Sequence, residues 1–434
     1  MNIPFLYETG YMHRLIISAL MAFAAAPQVH AAVTMHISAS SQHIRQMDVT
    51  LADSYLAVQT GEGRMVYDFQ SRRRYAINTV ANQYVDYSLF DAVGFRVAEM
   101  ANRLQLGGAL AAAKVDTPLM ARADHENQLS ILGGAPQVVD EKVEGDSHVF
   151  YVEGARLAAW SVSGVKVAAS DAAQFARFMR YAQGGHPQLL DRLAKGGMIP
   201  DHLTLFISGG RDITLSMTQV RSTQAAPAYD LKPYQREISK DGVDAVFDRI
   251  ASLTPQQLAD VRSAHPCDTS SDFSDQAILD TMLGRLECSL SSDTPLALTD
   301  QQKQAVAASP SLGLLFAAIR PAKDNEVEDA VKTLAALRQQ APRKGYVLKI
   351  FEANNRTRLR QVKESTALLV EVLQTNPLLA GAYKDLGDLL LMQYDSARAW
   401  RSWDAGRRVS PALPNFAAVN QFEATLLAQH PEFF

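Results

Sequence analysis

Residues 55–77 read YLAVQTGEGRMVYDFQSRRRYAI, and this stretch decides the fold class. Met65, Tyr67 and Phe69 alternate with Arg64, Val66 and Asp68, the two-residue period of a β-strand. Gln70 to Arg73 supply a turn, after which Tyr75 and Ile77 are expected to return on the face of Tyr67. The strand-like pattern extends from about Met47 to Val80. It predicts an antiparallel hairpin with one buried aromatic face and its arginines in water. Phe90, Val93, Val97, Met100 and Leu104 then recur at helical spacing. A helix should pack on that aromatic face and end at Gly107-Gly108.

Beyond a polar loop at Lys114 to Asn127, strand patterns resume near Val138-Val139, His148 to Val152 and Leu157 to Val162. Two helices come next: Ala172 to Ala182, with core residues Phe175, Phe178 and Met179, and a shorter one after Pro187, a residue suited to a helix start. Two further strands, Leu203 to Ile207 and Ile213 to Val220, flank the turn Gly209-Gly210-Arg211-Asp212. Runs of strands broken by a few helices predict an α+β domain on an antiparallel sheet over residues 32–231. The order of hairpin, helix and further hairpins, with Val66-Tyr67-Asp68 nearest to a motif, resembles the half-barrel domains of bacterial envelope proteins, the lipoprotein-carrier fold among them. That resemblance covers about Thr34 to Leu231, and as an alternative role the aromatic face of the hairpin would enclose an apolar ligand. Met65, Tyr67, Phe69 and Tyr75 are the candidate ligand-facing residues.

A linker, QAAPAYDLKP, spans Gln224 to Pro233, and everything after it reads helical. The segment 232–310 carries Cys267 and Cys288, flanking the apolar stripe Ile278, Leu279, Met282, Leu283 and Leu286. The last hundred residues contain one spacing three times. It runs Ala330, Leu334, Leu337, Pro342; then Ser365, Leu369, Val372, Pro377; then Ala399, Trp403, Gly406, Pro411. A small residue lets two helices approach, a large one fills the groove, and proline stops the helix. With Tyr383, Leu386 and Gly387 in its first helix, the third unit resembles the tetratricopeptide repeat, a 34-residue helix–turn–helix. The other two units depart from that pattern, with Lys349 and Ala353 where the aromatic residue and the glycine are expected. The resemblance implies a repeat array over residues 311–434. Tyr383, Leu386, Gly387, Ala399, Trp403 and Pro411 would be packing residues, and Lys384, Asp388 and Leu391 would face a partner protein.

At the other end, residues 12–31 read MHRLIISALMAFAAAPQVHA. His13 and Arg14 give a positive start, Leu15 to Ala26 an apolar run, and Val29-His30-Ala31 a cleavage site. This predicts a signal peptide over 1–31, with translation starting at Met12 and the mature chain at Ala32. The run is shorter than the roughly 20 apolar residues a bilayer span needs. The expectation is a periplasmic or secreted bacterial protein without a transmembrane segment in its mature chain. In such an oxidising compartment, Cys267 and Cys288 are a good disulfide pair. Their spacing does not suit a zinc site.

Forty-two Lys and Arg against forty-six Asp and Glu leave a net charge of −4, which offers nucleic acid no electrostatic footprint. No phosphate-binding glycine loop is present, and Ser161-Val162-Ser163-Gly164 is not a nucleophile elbow. The histidines lack metal-ligand spacing, and no cofactor is expected. His186, before Pro187, is the most pointed candidate for a catalytic base, although a histidine there more often caps a helix. The leading expectation is therefore a non-enzymatic envelope protein that binds an envelope or secreted partner through its repeats. The alternatives are a carrier of a lipid or other apolar ligand in the half-barrel-like domain, and an exported hydrolase.

Overall fold

The structure, a computed structural model, describes residues 30–40, 46–61, 63–115, 138–207, 212–226, 229–267, 272–274, 277–292 and 298–434. The leader, most of the 114–127 loop and the Gly209–Arg211 turn lie outside the described residues.

The N-terminal half runs β1 (His30–Ala39), β2 (Gln46–Ala52), β3 (Tyr55–Thr60), β4 (Gly63–Asp68), β5 (Arg73–Asn78), β6 (Gln83–Ser88) and α1 (Leu89–Ala112). It continues through β7 (Asp140–Glu144), β8 (Ser147–Val152), β9 (Ala155–Ser161), β10 (Gly164–Lys166), α2 (Ala169–Ala182), α3 (Pro187–Lys195), β11 (Met198–Pro200), β12 (His202–Leu205), β13 (Ile213–Ala226) and β14 (Gln235–Arg236). Among the described residues, twelve strands form one sheet in the order β14-β6-β5-β4-β3-β2-β1-β13-β12-β9-β8-β7. Its neighbours are antiparallel except β14, which runs parallel to β6. The sheet does not close, so the domain is α+β. β1 and β6 extend it beyond the stretch 47–80. In β1 the alternating Val33, Met35 and Ile37 are buried.

Both faces of the sheet are covered. On one, Val33, Met35, Ile37, Val49, Leu51 and Leu56 pack against Phe175, Phe178 and Met179 of α2 and Leu189, Leu190 and Leu193 of α3. On the other, Tyr55, Ala57, Val66 and Ile77 pack with Tyr75 and Tyr84 under Tyr229 and Leu231 of the linker and Tyr234 just after it. The linker is thus a second cover for the sheet.

Three expectations are corrected here. Tyr75 does not share the face of Tyr67: the turn pairs Asp68 with Arg73, so each odd residue of β4 faces an even one of β5, and Tyr75 pairs with Val66. Arg72 at the turn is exposed, but Arg73 and Arg74 are not in water. Arg73 is held by Asp86 at 2.6 Å and Asp404 at 2.5 Å, and Arg74 by Asp91 at 2.9 Å. Finally, α1 does not lie on the aromatic face. Its Phe90, Val93 and Met100 enter the core of the C-terminal helices, and it runs through Gly107-Gly108 to Ala112. Glycine inside a helix costs only about 1 kcal/mol against alanine, which neighbouring turns absorb.

The C-terminal half consists of α4 (Gly242–Ala251), α5 (Pro255–Ala264), α6 (Ile278–Ser291), α7 (Asp300–Ala308), α8 (Pro310–Ile319), α9 (Val327–Gln340), α10 (Leu348–Arg358), α11 (Val362–Thr375), α12 (Ala380–Met392), α13 (Ser396–Val409) and α14 (Ala417–Gln429). Cys267 and Cys288 form a disulfide with Cα atoms 5.3 Å apart, tying the end of the α5 segment to α6. Ala330, Leu334 and Leu337 lie buried in α9, Ser365, Leu369 and Val372 in α11, and Ala399, Trp403 and Gly406 in α13. Pro342, Pro377 and Pro411 each come just after the residue that ends the helix.

The small residues act as close-approach points between helices. Ser365 donates to the Ala353 carbonyl at 2.8 Å. A Cβ on Gly387 would strike the Trp403 indole and sit 3.0 Å from the Ala399 carbonyl oxygen. Tyr383 and Leu386 are fully buried. Among the described residues, segment 232–310 has no core of its own: Val246, Phe247, Ile250 and Leu258 join the core of α11–α14, while Ile278, Leu279, Met282 and Leu283 join that of α8–α10.

Candidate functional site

The ladder register builds the site. Val49 pairs with Val58, Val58 with Met65, Met65 with Ala76, and Ala76 with Val85. Paired residues of an antiparallel sheet share a face, so one apolar row crosses β2 to β6. α2 covers the row only in part. It ends at Ala182, where Gly184 and Gly185 turn the chain away with φ of +83° and +129°. Beyond that point the row holds only the small Ala76 and Val85. Unfilled space of about 630 Å³ remains, lined by Met47, Val58, Met65, Tyr67, Ala76, Val85 and Tyr181. Thr60, Arg64, Asn78, Gln183 and Glu237 also border it. This volume lies within the range of small-molecule sites.

The aromatic part of the wall carries no charge. Tyr67 and Tyr181 stack with ring centroids 4.6 Å apart. Burial pushes the Tyr67 phenol up, with the Arg74 and Arg96 guanidiniums acting the other way. Burial pushes Tyr181 further still, and the Tyr67 phenol adds to it. Such a lining offers an occupant dispersion contacts, while Arg64 and Glu237 supply the charged side chains of the border.

Of the four candidate ligand-facing residues, Met65 and Tyr67 line this cavity. Phe69 lies on the same face but outside it, 6.3 Å from Tyr181 and under the Arg177 guanidinium at 4.4 Å. Tyr75 is on the opposite face, stacked with Tyr84 and Tyr229. Met47, Val58, Ala76, Val85 and Tyr181 were not legible as a site. Their alternation marks them as core, and only the end of α2 leaves them uncovered.

Elsewhere, Lys384 and Asp388 form an ion pair with each other, with their side chains 18% and 43% exposed. Leu391 packs partly into the helical core, and Met392 beside it is 66% exposed. The Trp403 indole donates to the Lys384 carbonyl at 3.3 Å. Asp385, between them in sequence, accepts from Asn354 of α10 at 2.9 Å. Burial pushes its carboxyl up to about 6.

His186 caps α3: its Nδ1 accepts from the Gln188 backbone N–H at 3.2 Å. Among the described residues, no group of His, Cys, Asp and Glu is arranged to hold a metal ion. No described helix is long and apolar enough to cross a membrane. No family model matches the chain, and a search of curated proteins finds no match.

Proposed function

We propose that this is an exported, non-enzymatic protein whose half-barrel-like domain binds a single apolar ligand in the cavity beside the end of α2, braced by the helical array. The observation that carries this reading is the partly uncovered apolar row from Val58 to Val85, walled by Tyr67 and Tyr181. Export is supported by the charge-then-apolar-then-small order of residues 12–31 and by the Cys267–Cys288 bond. Sequencing the N-terminus of protein from its host should find Ala32 or a residue close to it. An intact Met1 or Met12 in the cytosolic fraction would refute export.

The ligand site is tested with cis-parinaric acid, a fluorescent long-chain fatty acid. Ala76→Phe places a ring in the empty volume and should abolish probe binding while the circular dichroism spectrum stays unchanged. Equal binding by wild type and variant, or none by wild type, overturns the reading.

A second reading is favoured by exposed Met392 beside Leu391. There Lys384, Asp388 and Leu391 dock a partner envelope protein, as the resemblance to tetratricopeptide repeats implies. Replacing all three with alanine should then abolish co-purification of that protein. Identical pull-downs from both forms would leave the array as a brace alone.

A further inference from the structure

The segment after α14 ends His430-Pro431-Glu432-Phe433-Phe434, and it reaches from the helical array into the sheet domain. Phe433 is fully buried. Its carbonyl accepts a hydrogen bond from the Tyr181 hydroxyl at 2.8 Å, and the two rings meet edge to face at 5.6 Å. Arg177, one turn earlier on α2, donates to the Glu432 carbonyl at 3.3 Å and the Phe434 carbonyl at 2.9 Å. The same guanidinium covers Phe69 of the sheet, while Phe434 packs on Phe90 of α1 at 5.0 Å. Tyr181 therefore has two roles: its ring forms the cavity wall against Tyr67, and its hydroxyl is held by the tail.

We propose that residues 430–434 are a latch that fixes the end of α2 as the cavity wall, so that occupancy of the cavity and docking of the tail are linked. This rests on the ligand-binding reading above. The link is mechanical. α2 ends at Ala182, where the Gln183 and Gly184 N–H groups cap it on the Met179 carbonyl before the glycine turn leads the chain away. The Tyr181 contact to Phe433 holds its last turn, and Arg177 ties the preceding turn to Glu432 and Phe434. An occupant that needs Tyr181 in place stabilises the latched state, and by linkage the latched tail strengthens binding by the same factor. A tail released by a competing aromatic segment would lower affinity without any change in the cavity floor.

Two variants outside the cavity lining test this in the full chain. Phe433→Ala empties the tail's anchor. Arg177→Gln removes the clamp with little loss of volume and serves if the first variant folds poorly. Hydrogen exchange at residues 178–183, read without any ligand, should quicken in both variants by about fivefold or more, the scale of ordinary site-to-site coupling. Unchanged exchange in Arg177→Gln overturns the latch. Affinity for cis-parinaric acid should fall by a similar factor in both variants, and probe-saturated wild type should show slower exchange at 430–434. Unchanged affinity in a variant with quickened exchange also overturns the linkage. If wild type binds no probe, the ligand reading fails, and the linkage to occupancy fails with it. The exchange measurement still decides whether the tail holds α2.

Discussion

Trp400 of α13 lies directly on the bare backbone of Gly94 in α1: a Cβ at position 94 would collide with the indole, its Cζ2 only 3.1 Å away. This contact joins the two halves of the chain, because α1 follows β6 of the sheet and α13 is one of the C-terminal helices. The indole Nε1 also donates to Glu423 at 2.9 Å, which fixes the ring against the helix.

Gly94→Ala should therefore destabilise the protein by about 1–3 kcal/mol, the usual cost of overpacking a filled contact. In the same helix, Gly108 has open space where a Cβ would go. Gly108→Ala should stabilise by about 0.5–1 kcal/mol through helix propensity. Urea melts of the two variants decide it. Equal effects would mean that α1 does not seat on Trp400.

Trp403→Ala should cost about 3–5 kcal/mol, as large-to-small core changes do. The indole is 2% exposed and fills the space that Gly387 leaves. A measured loss under about 1 kcal/mol would place the side chain on the surface.

Replacing both Cys267 and Cys288 with serine opens a loop of 21 residues. In the chain-entropy model the loss is about 3 kcal/mol. Mass analysis without reductant should show no free thiol in the native protein, and two after reduction. Two thiols before reduction would refute the bond.

Asp385 gives a pH signature. Its carboxyl stands at about 6 in the folded protein against an ordinary 3.8, so the native state holds the proton to higher pH than the unfolded chain does. Stability from this group is present below the unfolded value and is lost as pH rises from about 4 to about 6. Asp385→Asn keeps an acceptor for Asn354 and removes the titration. Its stability advantage over wild type should grow across that window to about 1–2 kcal/mol and then level off. A difference that is flat from pH 4 to pH 7 would show the carboxylate to be solvated.

The sequence by itself determined the α+β class, the strand periods from Met47 onward, the helical C-terminal half and the three proline-ended helices. Each comes from local rules: side-chain period, helix capping and the missing N–H of proline. Close approach of Gly387 to Ala399 and Trp403 was also legible, because small residues on two successive helices let their backbones meet. Tertiary structure alone decided the rest. Period says which residues of one strand share a face, but the count of turn residues between Asp68 and Arg73 sets which face Tyr75 takes. The helical stripe of α1 announces a buried face and does not name its partner, which proved to be the C-terminal helices. The cavity exists because α2 ends short of Ala76 and Val85, and its wall depends on Tyr181 meeting Phe433, 252 positions away. No local pattern encodes a contact of that range, since it is fixed only when both domains have folded and packed.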